Sequence, residues 1–540
     1  MRRLISVLLV LLLVACLVAC HETEAPASTP EMNTPKESDA QQETAAPQES
    51  VTWQETLAAA LNDLEPVPAE KQVDENGRAW YQVFVYSFCD SDGDGIGDLN
   101  GVTERLDYIR SMEFDGIWLS PIHPSDTYHK YNVRDYMDID PQFGTLKDFD
   151  ALIKACHERG LRVLLDLVIN HTDLNHPWFT EHPEYYNIAE SPGNGQWAPL
   201  PDGRFYECQF WDQMPDLNLE NEELRGEIET ICAFWFARGA DGFRLDAVKE
   251  YMSGNTEKNI EILAWFTGMV KSLKPDAYLV GEAWDTTTAL YEYYASGVDS
   301  MFEFPFSGAD GAIGRLMLRT DTTVEDYLKK VESAQQVIKS YNPDGTSAPF
   351  FTNHDQARAA GFLRRDANLI KTAWGLSIMQ PGDAFVYYGE ELGMSGSGKD
   401  ENKRAPMYWT DELQAFGMTA GPPDREVQEN GFKPVIEQIG DPDSIYNYVR
   451  DAVRLRRMYP HIGRGSFEVI HSDAGSKAGA VRRVWQGSAI VIVYNVSADA
   501  AMLTMQGTLL DYLSATGEQP ALNKGVLALP GYCIAILSGG

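Results

Sequence analysis

Basic residues are scarce in this 540-residue chain, which has 44 lysines and arginines against 80 aspartates and glutamates. The resulting net charge of −36 at pH 7 argues against a nucleic-acid partner, which would favour a basic face. The content of 44% apolar and 11% aromatic residues is that of a globular protein. A chain of this length can bury a large core in two or three domains, and its charge suits a neutral ligand.

Cysteine is also scarce, with seven residues, of which Cys16 lies in an apolar run at the N-terminus and Cys20 directly follows it. The other five are scattered and odd in number, and they lack the spacing of a metal site. A single disulfide is an alternative in an exported protein, but we expect most of them to be small core residues. They are Cys89, Cys156, Cys208, Cys232 and Cys533.

The N-terminal apolar run, residues 4–19, is too short for a membrane span, which needs about 20 residues. It follows a short basic region, as in a secretory signal peptide, and its Leu-Val-Ala-Cys20 ending resembles a bacterial lipoprotein signal. The same four letters end at Cys16, and an ordinary cleaved signal is a further alternative. Because polar sequence follows Cys20 directly, we expect residues 1–20 to be a lipoprotein signal peptide with Cys20 lipidated.

Residues 21–50 are rich in Pro, Ser, Thr, Gln and Glu and nearly free of large apolar groups. Such a segment cannot bury enough surface to fold, so it predicts a disordered tether. Together, these two segments predict an exported protein anchored through a lipid on the outer face of the cell membrane or on the cell surface.

Eight short apolar runs, rich in β-branched residues, recur between residues 76 and 460, with amphipathic helical patterns in most of the gaps. This alternation predicts parallel βαβ units. Eight units fit an α/β protein with a (β/α)8 TIM barrel better than an open doubly wound sheet. The predicted strands are 79–88, 116–121, 162–169, 240–246, 278–282, 301–306, 348–352 and 384–388.

Two regions depart from this repeat. Residues 172–220 follow the third strand and are rich in Pro, Asn, Trp and Tyr. They are too long for an ordinary loop, which predicts an inserted subdomain B over the barrel mouth. In residues 462–540, short apolar runs alternate with turn residues, as in a C-terminal antiparallel β-sandwich domain.

Two of the predicted strands end in a single carboxylate, Asp246 on the fourth and Glu282 on the fifth. Neighbouring strand ends converge at the C-terminal face of a barrel, where active sites lie. Two carboxyl groups that meet there are the minimum set for cleaving a glycosidic bond, one as nucleophile and one as general acid.

Other strand ends also carry polar motifs: Asp166-Leu-Val-Ile-Asn170-His171, Gly-Phe-Arg244-Leu-Asp246-Ala-Val-Lys249, and Phe351-Thr-Asn353-His354-Asp355. With the Glu282 segment, these motifs resemble those of the α-amylase superfamily, glycoside hydrolase family 13. The resemblance covers roughly residues 76–540. It implies a (β/α)8 barrel that cleaves α-glucosidic bonds.

The resemblance implies a role for each matching residue. Asp246 is the nucleophile that forms a covalent glycosyl-enzyme, Glu282 the general acid and then base, and Asp355 the holder of the 2- and 3-hydroxyls in subsite −1. The chemistry needs an anion beneath a developing oxocarbenium ion, which Asp246 can supply. It also needs an acid that is protonated at the start, which neighbouring carboxylates favour at Glu282. Such a pair retains the anomeric configuration. The resemblance also assigns His171 and His354 to the same sugar, and Arg244 to the orientation of the nucleophile.

Tyr128-His129-Lys130-Tyr131 resembles the Tyr-His-Gly-Tyr segment of the family, in which the last tyrosine stacks on the sugar at −1. We therefore expect His129 and Tyr131 to bind substrate, with a packing role for Tyr131 as the alternative. Lys130 replaces the glycine, and we expect it to alter how the non-reducing side of the substrate is held. Arg404 opens a stretch similar to one in oligo-1,6-glucosidases and is expected to line the cleft; a surface ion pair is the alternative.

Alternate aspartates follow the first strand, in Asp90-Ser-Asp92-Gly-Asp94-Gly-Ile96-Gly-Asp98. The loop begins like an EF-hand but has Gly101 where the bidentate Glu would stand. It resembles the calcium loop of some α-amylase relatives, which implies a structural Ca²⁺ held by the four aspartates and the Ile96 carbonyl. A solvated acidic turn is the alternative. Asn170 is a weaker candidate for a second calcium site.

A few residues, in the insertion and directly after Asp246, indicate the substrate specificity. Met214-Pro-Asp216-Leu-Asn218 resembles secreted α-amylases intermediate between oligo-1,6-glucosidases and neopullulanases. Ala247 resembles enzymes that act on α-1,4 links. Lys249 matches a lysine at an aglycone subsite, although Glu250 stands where a histidine usually follows. We therefore expect starch and maltooligosaccharides as substrates.

The alternatives within enzymes are neopullulanase or cyclomaltodextrinase, exo-acting α-glucosidase and 4-α-glucanotransferase, because water and a sugar hydroxyl attack the same intermediate. A non-catalytic starch-binding surface protein is the alternative outside enzymes. The intact carboxylates Asp246, Glu282 and Asp355 argue against it. The expected partners are an α-glucan and, through the lipid, a membrane, with no nucleic acid, and the chain is expected to be a monomer.

Overall fold

The computed structural model describes residues 52–64, 77–472 and 477–539. The predicted signal peptide with Cys20 and the predicted tether over residues 21–50 lie outside the described residues. Within the described part of the chain, no helix combines the length and the apolar character that a membrane crossing requires.

Eight parallel strands form the sheet at the centre of the protein, and the first seven pair with one another in chain order. The first strand also pairs with the eighth, and a bridge between Phe350 and Phe385 connects the seventh strand segment with the eighth. The nearly closed ring confirms the predicted TIM barrel. The strands β1 to β8 are Ala79–Val83, Gly116–Leu119, Arg162–Leu167, Gly242–Leu245, Tyr278–Gly281, Ser300–Phe302, Thr346–Ala348 and Ala384–Tyr387.

Several strands are shorter than the apolar runs that predicted them. The first run continues past Val83 into a 3₁₀ turn, Val85–Ser87. β7 ends at Ala348, which is the first residue of the predicted run 348–352. It ends there because Pro349 follows and has no N–H to donate to the neighbouring strand. Apolar content alone therefore marked the buried segments but overextended them towards the C-terminal face.

Helices surround the barrel, and most of the long ones begin at a side-chain cap. Thr145, for example, accepts the N–H of Asp148, whose carboxylate in turn accepts the N–H of Thr145. The longer helices are Leu146–Glu158, Glu222–Ala237, Thr256–Leu273, Val324–Tyr341, Ala367–Ile378 and Ile445–Met458. The shorter helices are Leu99–Glu104, Leu106–Ser111, Pro177–Glu181, Thr287–Glu292, Ala312–Leu318, Ala359–Phe362, Asp400–Lys403, Val435–Gln438 and Pro460–Arg464.

The long segment between β3 and β4 contains a small antiparallel sheet of its own. Its strands are Ile188–Ala189, Trp197–Pro199 and Phe205–Glu207, with the last in the middle. A bridge between His171 and Asp216 ties the two ends of the segment together next to the end of β3. The segment is thereby placed at the C-terminal face of the barrel.

Two antiparallel sheets follow the barrel and confirm the C-terminal β-structure. One consists, in spatial order, of Glu468–Ser472, Ala478–Trp485, Ser488–Asn495, Cys533–Ser538 and Leu509–Ser514. The other consists of Ala501–Thr504, Val526–Leu529 and Ala521–Asn523. Side chains of both sheets, such as Val493 and Leu527, share a separate apolar core.

One helix, Trp53–Asn62, belongs to none of the predicted elements. Trp53 is only 7% exposed, its ring stacks on Trp409 at 5.9 Å, and its Nε1 donates to the Phe416 carbonyl over 2.9 Å. The Arg105 guanidinium covers the Trp53 ring at 4.7 Å. The helix therefore docks on the rest of the protein through a buried tryptophan.

The five cysteines in the described part of the chain are all buried and none is in a disulfide, in keeping with their expected role as core residues.

Candidate active site

Arg244, at the end of β4, is the charged centre of the C-terminal face and is only 1% exposed. Its Nη1 lies 2.6 Å from Oδ1 of Asp246 and 2.8 Å from Oδ1 of Asp166, and its Nη2 lies 3.7 Å from Oε2 of Glu282. One buried cation is thus shared by three carboxyl groups from three neighbouring strands. The two carboxyl groups predicted for catalysis therefore meet at the same guanidinium.

The surroundings of Glu282 disfavour its negatively charged form. Burial raises its pKa, Arg244 opposes the rise, and the nearby Asp246 and Asp355 reinforce it. The pKa reaches about 7, so the carboxyl group can carry a proton near neutrality. Its Oε2 also accepts the backbone N–H of Ala247 over 2.9 Å, which fixes its position beside Asp246.

Asp355, after β7, is held by Arg404. Nη2 of Arg404 lies 2.8 Å from Oδ1 of Asp355, and its Nε donates to the His354 carbonyl. Burial alone would raise the pKa of Asp355, but His354, Arg404 and Arg244 outweigh it and lower the pKa to about 2. Because burial lowers the pKa of His354 to about 3, Arg404 is the main cation beside Asp355 at neutral pH.

Tyr131 lies flat against His354, with ring centroids 5.5 Å apart and planes at 4°. Its hydroxyl donates to Oδ2 of Asp166 over 3.0 Å and lies 2.7 Å from Nε2 of His354. Nδ1 of His129 accepts the N–H of Tyr131. Burial lowers the pKa of His129 to about 3 and also lowers that of His171, so these rings are neutral hydrogen-bonding groups at neutral pH.

Asp166 is quoted in the sequence motif of β3 but was given no role there. Its side chain is fully buried and accepts bonds from Arg244, Tyr131 and the Trp118 indole. Burial raises its pKa to about 7. Its position at the end of a parallel strand was the available signal, since strand ends at this face point to the same centre.

A cleft of 890 Å³ opens at this face. It is lined by nine of the ten residues predicted for catalysis or substrate binding, and the tenth, Arg244, lies buried beneath it. The nine are Asp246, Glu282, Asp355, Tyr131, His129, His171, Lys249, His354 and Arg404. The surface ion pair considered for Arg404 is wrong, because Arg404 is 5% exposed and bonded to Asp355.

Sequence reasoning missed three exposed aromatic residues at the rim: Phe210, Trp211 and Trp284 line the cleft and are 51%, 45% and 51% exposed. Large exposed rings mark ligand-binding grooves. The signals were the aromatic-rich insertion and a tryptophan two positions after Glu282. Lys249, also in the cleft, lies 3.3 Å from Glu250, which occupies the position of the expected histidine.

Lys130 does not line the cleft, so any effect on how the non-reducing side of the substrate is held must pass through other residues. Its side chain is 2% exposed and its ammonium lies 2.8 Å from Oδ2 of Asp140. Between two cleft-lining neighbours, the side chain of Lys130 is directed into the body of the loop.

The acidic loop after β1 brings three carboxylates together. Asp90, Asp92 and Asp98 offer oxygens within 4.8 Å of one another, and Asp90 accepts the N–H groups of Gly93 and Gly95. Asp94 lies outside this group of three. Burial is the main cause that raises the pKa of Asp94, and Asp92, Asp90 and Asp98 add to the rise. A cluster of oxygen donors fits a hard divalent cation such as Ca²⁺.

Asn170, the weaker candidate for a second calcium site, donates through Nδ2 to Oδ1 of Asp216 over 3.1 Å. Burial raises the pKa of Asp216 to about 8. This bond joins the end of β3 to the insertion, and Oδ1 of Asn170 is buried without a hydrogen-bond partner among the described residues, so the second calcium site stays a prediction.

Residues 82–465 match the sequence family described as alpha amylase, catalytic domain. The chain is 38% identical over 430 residues to "Alpha-amylase 3" of Dictyoglomus thermophilum, which covers 77% of this chain and 84% of that protein. The solved structure of Eubacterium rectale Amy13B superposes with a TM-score of 0.83 at 39% identity, over 90% of this chain and 99% of that one. An α-amylase from H. orenii gives 0.78 at 32% identity, over 87% and 100%. The chain therefore belongs to the α-amylase family and is a glycoside hydrolase.

Proposed function

We propose that the protein hydrolyses α-1,4-glucosidic bonds of starch and maltooligosaccharides with retention of the anomeric configuration. The observation that carries the proposal is the sharing of Arg244 by Asp246 and Glu282 within one cleft. Asp246 is paired directly with the cation, whereas burial keeps the pKa of Glu282 near 7. Two carboxyl groups in such unlike environments suit a nucleophile and a general acid.

In the first step, an oxygen of Asp246 attacks the anomeric carbon of the sugar in subsite −1 while the glycosidic C–O bond breaks. The proton of Glu282 passes to the leaving oxygen, and a covalent glycosyl-enzyme forms. Arg244 holds the attacking carboxylate in place, since its Nη1 lies 2.6 Å from Oδ1. Placement of the reacting groups before reaction removes much of the entropic cost.

In the second step, Glu282 is a carboxylate and takes a proton from water. The water oxygen attacks the anomeric carbon from the opposite side, the bond to Asp246 breaks, and the configuration is retained overall. Glu282 is protonated again and ready for the next cycle. Asp355, ionised beside Arg404, would accept hydrogen bonds from the hydroxyls of the same sugar.

Preference for α-1,4 links is supported by Ala247, which lines the cleft directly after the nucleophile, and by Lys249 on the aglycone side. The exposed rings of Trp211 and Trp284 can stack on sugar faces beyond the reacting unit. The acidic cleft, with Glu250 beside Lys249, suits neutral rather than anionic sugars.

A structural Ca²⁺ in the acidic loop is part of the proposal. Asp90, Asp92 and Asp98 supply the carboxylates that lie together, and Asp94 and the Ile96 carbonyl would complete the ligands. The ion would stabilise the loop rather than take part in a chemical step, because none of these residues lines the cleft.

Export and lipid attachment at Cys20 rest on the N-terminal sequence pattern alone, as does attachment to a membrane through that lipid. A depolymerase held at the cell surface would release oligosaccharides close to the cell. Labelling with a radioactive fatty acid in a bacterial host tests this part. If the wild type is labelled and Cys20→Ser is not, the result supports lipid attachment at Cys20. If Cys20→Ser is still labelled, the lipid is attached at another residue.

The proposal is tested by a timed product analysis of the purified protein on starch, maltotriose, pullulan and cyclodextrin. Mid-length products from starch in the first minutes support amylase action on α-1,4 links. Glucose as the single early product would instead identify an α-glucosidase, and preferred attack on cyclodextrin would identify a cyclomaltodextrinase.

The roles of the two carboxyl groups are tested with Asp246→Asn and Glu282→Gln. Each should lower kcat on starch by roughly 10³-fold or more, as the loss of a reacting group does. Anomeric analysis of the first product by NMR checks retention. Unchanged hydrolysis by Asp246→Asn would refute its assignment as nucleophile.

A further inference from the structure

One loop, between β2 and the helix Leu146–Glu158, supplies five of the residues that line the cleft. Lys130 lies in the middle of this loop but is buried. Its ammonium lies 2.8 Å from Oδ2 of Asp140 and donates to Oε1 of Gln142 over 2.7 Å and to the Ser125 carbonyl over 3.3 Å. Each N–H of the ammonium therefore has an oxygen partner within the same loop. The cleft-lining residues of the loop are Asp126, Thr127, Tyr128, His129 and Tyr131.

Asp140 ties separate parts of the loop together. Besides Lys130, its carboxylate accepts the backbone N–H groups of Ser125 over 3.0 Å and of Gln142 over 2.9 Å. Its own N–H donates to the Ile122 carbonyl next to β2. A buried ion pair in which both partners are fully hydrogen-bonded has one favourable geometry. This pair therefore fixes the start, middle and end of the loop relative to one another.

The backbone at Lys130 needs such support. Its φ of 63° lies in the left-handed region, which is costly for a residue with a Cβ atom. Conformations of this kind persist where surrounding contacts hold them. The left-handed turn places both neighbours, His129 and Tyr131, in the lining of the cleft while the lysine side chain is buried behind them.

Tyr131 is the neighbour through which this turn reaches the catalytic centre. Its hydroxyl contacts Asp166 and His354, and Asp166 in turn holds Arg244. A shift of the turn would therefore move a ring that faces the reacting sugar and disturb its bonds to the residues beneath the nucleophile.

We propose that Lys130 is a positioning residue, whose ion pair with Asp140 fixes the left-handed turn that presents Tyr131 to the sugar in subsite −1. Lys130 does not touch the substrate and acts through Tyr131. The inference rests on the proposed function, because Tyr131 meets a sugar only if the cleft takes a glucan.

The test is a double-mutant cycle on the full chain with maltotetraose as substrate. Lys130→Met and Asp140→Asn are each made in the wild type and in Tyr131→Ala, and kcat/KM is measured. Displacement of a group that contacts the reacting sugar should lower kcat/KM about tenfold or more in the wild-type background. In the Tyr131→Ala background the same changes should cost less than about twofold, because residues that act as a unit are not additive.

Lys371→Met is the matched control. Lys371 is also a buried lysine, 5% exposed, and its ammonium donates to the carbonyls of Asp443 and Ala515 outside the cleft. A general loss of stability should affect kcat/KM equally in both backgrounds, so this variant should show no coupling to Tyr131. Asp140→Asn conserves shape and keeps the cycle available if Lys130→Met does not fold.

The outcomes separate the two proposals. A wild type that hydrolyses no glucan refutes the proposed function. A wild type that is active, with losses from Lys130→Met and Asp140→Asn that persist undiminished in Tyr131→Ala, refutes the positioning role. Wild-type activity in both variants also refutes it.

Discussion

The backbone N–H of Ala247 donates to Oε2 of Glu282 over 2.9 Å, so the peptide that follows Asp246 also holds the second carboxyl group. Ala247 reaches this position with a φ of 49°, in the left-handed region. Non-glycine residues rarely adopt this region, and β-branched residues do so least of all. The relative placement of the two carboxyl groups proposed to react therefore depends on a strained backbone position.

Ala247→Val should lower the free energy of unfolding by about 1–3 kcal/mol, because a β-branched side chain is strained at this φ. It should also lower kcat/KM on starch, since the peptide that holds Glu282 would rotate. Ala247→Gly, which adopts this φ freely, should keep most of the activity. Urea denaturation and starch hydrolysis measure both effects, and a valine variant as stable and active as the glycine variant would contradict the prediction.

The pH dependence of activity should follow Glu282, whose pKa burial raises from 4.5 to about 7. The general acid must carry a proton, so kcat/KM should fall as the pH rises above about 7. The same shift has a consequence for stability. Because the folded protein binds this proton more tightly, the contribution to stability is present below pH 4.5 and is lost as the pH rises through about 7.

Glu282→Gln removes this titration. The melting temperature of the variant minus that of the wild type should therefore be larger at pH 8 than at pH 4.5. The variant should also lose its activity. Glu303→Gln is the control, since Glu303 is buried outside the cleft and burial raises its pKa to about 8. It should shift stability in the same sense without moving the alkaline limb of kcat/KM. If that limb moved in Glu303→Gln, Glu282 would not be the group that titrates.

Calcium removal should lower the melting temperature if the acidic loop binds the ion, because binding to the folded state alone stabilises it. Asp92→Asn is the sharpest variant: Asp92 is exposed and accepts the Asp94 N–H, whereas Asp90 and Asp98 hold several backbone N–H groups of the loop. The wild type should lose stability in EDTA and regain it with Ca²⁺, and Asp92→Asn should respond weakly. Equal responses in both proteins would place the ion elsewhere.

The sequence predicted the barrel, and it placed Asp246 and Glu282 at one face of it, because both inferences depend on local patterns. Apolar runs mark buried parallel strands, and a carboxylate that ends such a run must lie at the C-terminal face. Asp246 and Glu282 were found in this way, whereas Asp355 and the roles of all three came from the resemblance of their motifs to the α-amylase superfamily. Strand ends were less predictable, since Pro349 stops β7 for lack of an N–H and not through a change in apolar character.

Other features depend on contacts between distant parts of the chain. Lys130 was expected to alter how the non-reducing side of the substrate is held, but the sequence did not show that its side chain is buried against Asp140 in a left-handed turn. A single sequence does not give side-chain direction in a loop. Trp211 lies in an insertion without periodicity, so its place at the rim could not be derived. The docking of Trp53 joins residues more than 350 positions apart.

Trp53→Ala should lower the free energy of unfolding by about 3–5 kcal/mol, as the loss of a buried tryptophan does. The ring would leave a cavity against Trp409, and the Phe416 carbonyl would lose its indole donor. Trp53→Phe keeps part of the stacking and should cost less. Urea denaturation of the full chain measures both, and a change below about 0.5 kcal/mol in Trp53→Ala would show that the docked helix contributes no stability.

Trp284 should contribute to substrate affinity rather than to stability. Its ring is 51% exposed in the cleft lining, and one face stacks on Phe304 at 5.1 Å with planes at 19°. Because half of the ring is exposed in the cleft, we expect its other face to stack on a sugar of the bound glucan. Trp284→Ala should raise KM for maltooligosaccharides by about 2- to 12-fold, which corresponds to about 0.5–1.5 kcal/mol of stacking.

Trp284→Phe, which retains an aromatic face, should restore most of this affinity, and the melting temperature should change little in either variant. Tyr341→Ala is the control, because Tyr341 is similarly exposed, at 42%, but lies outside the cleft. It should leave KM unchanged. If Trp284→Ala lowered the melting temperature and kept the wild-type KM, the ring would stabilise the fold by packing on Phe304. The prediction that it stacks on a sugar would then be wrong.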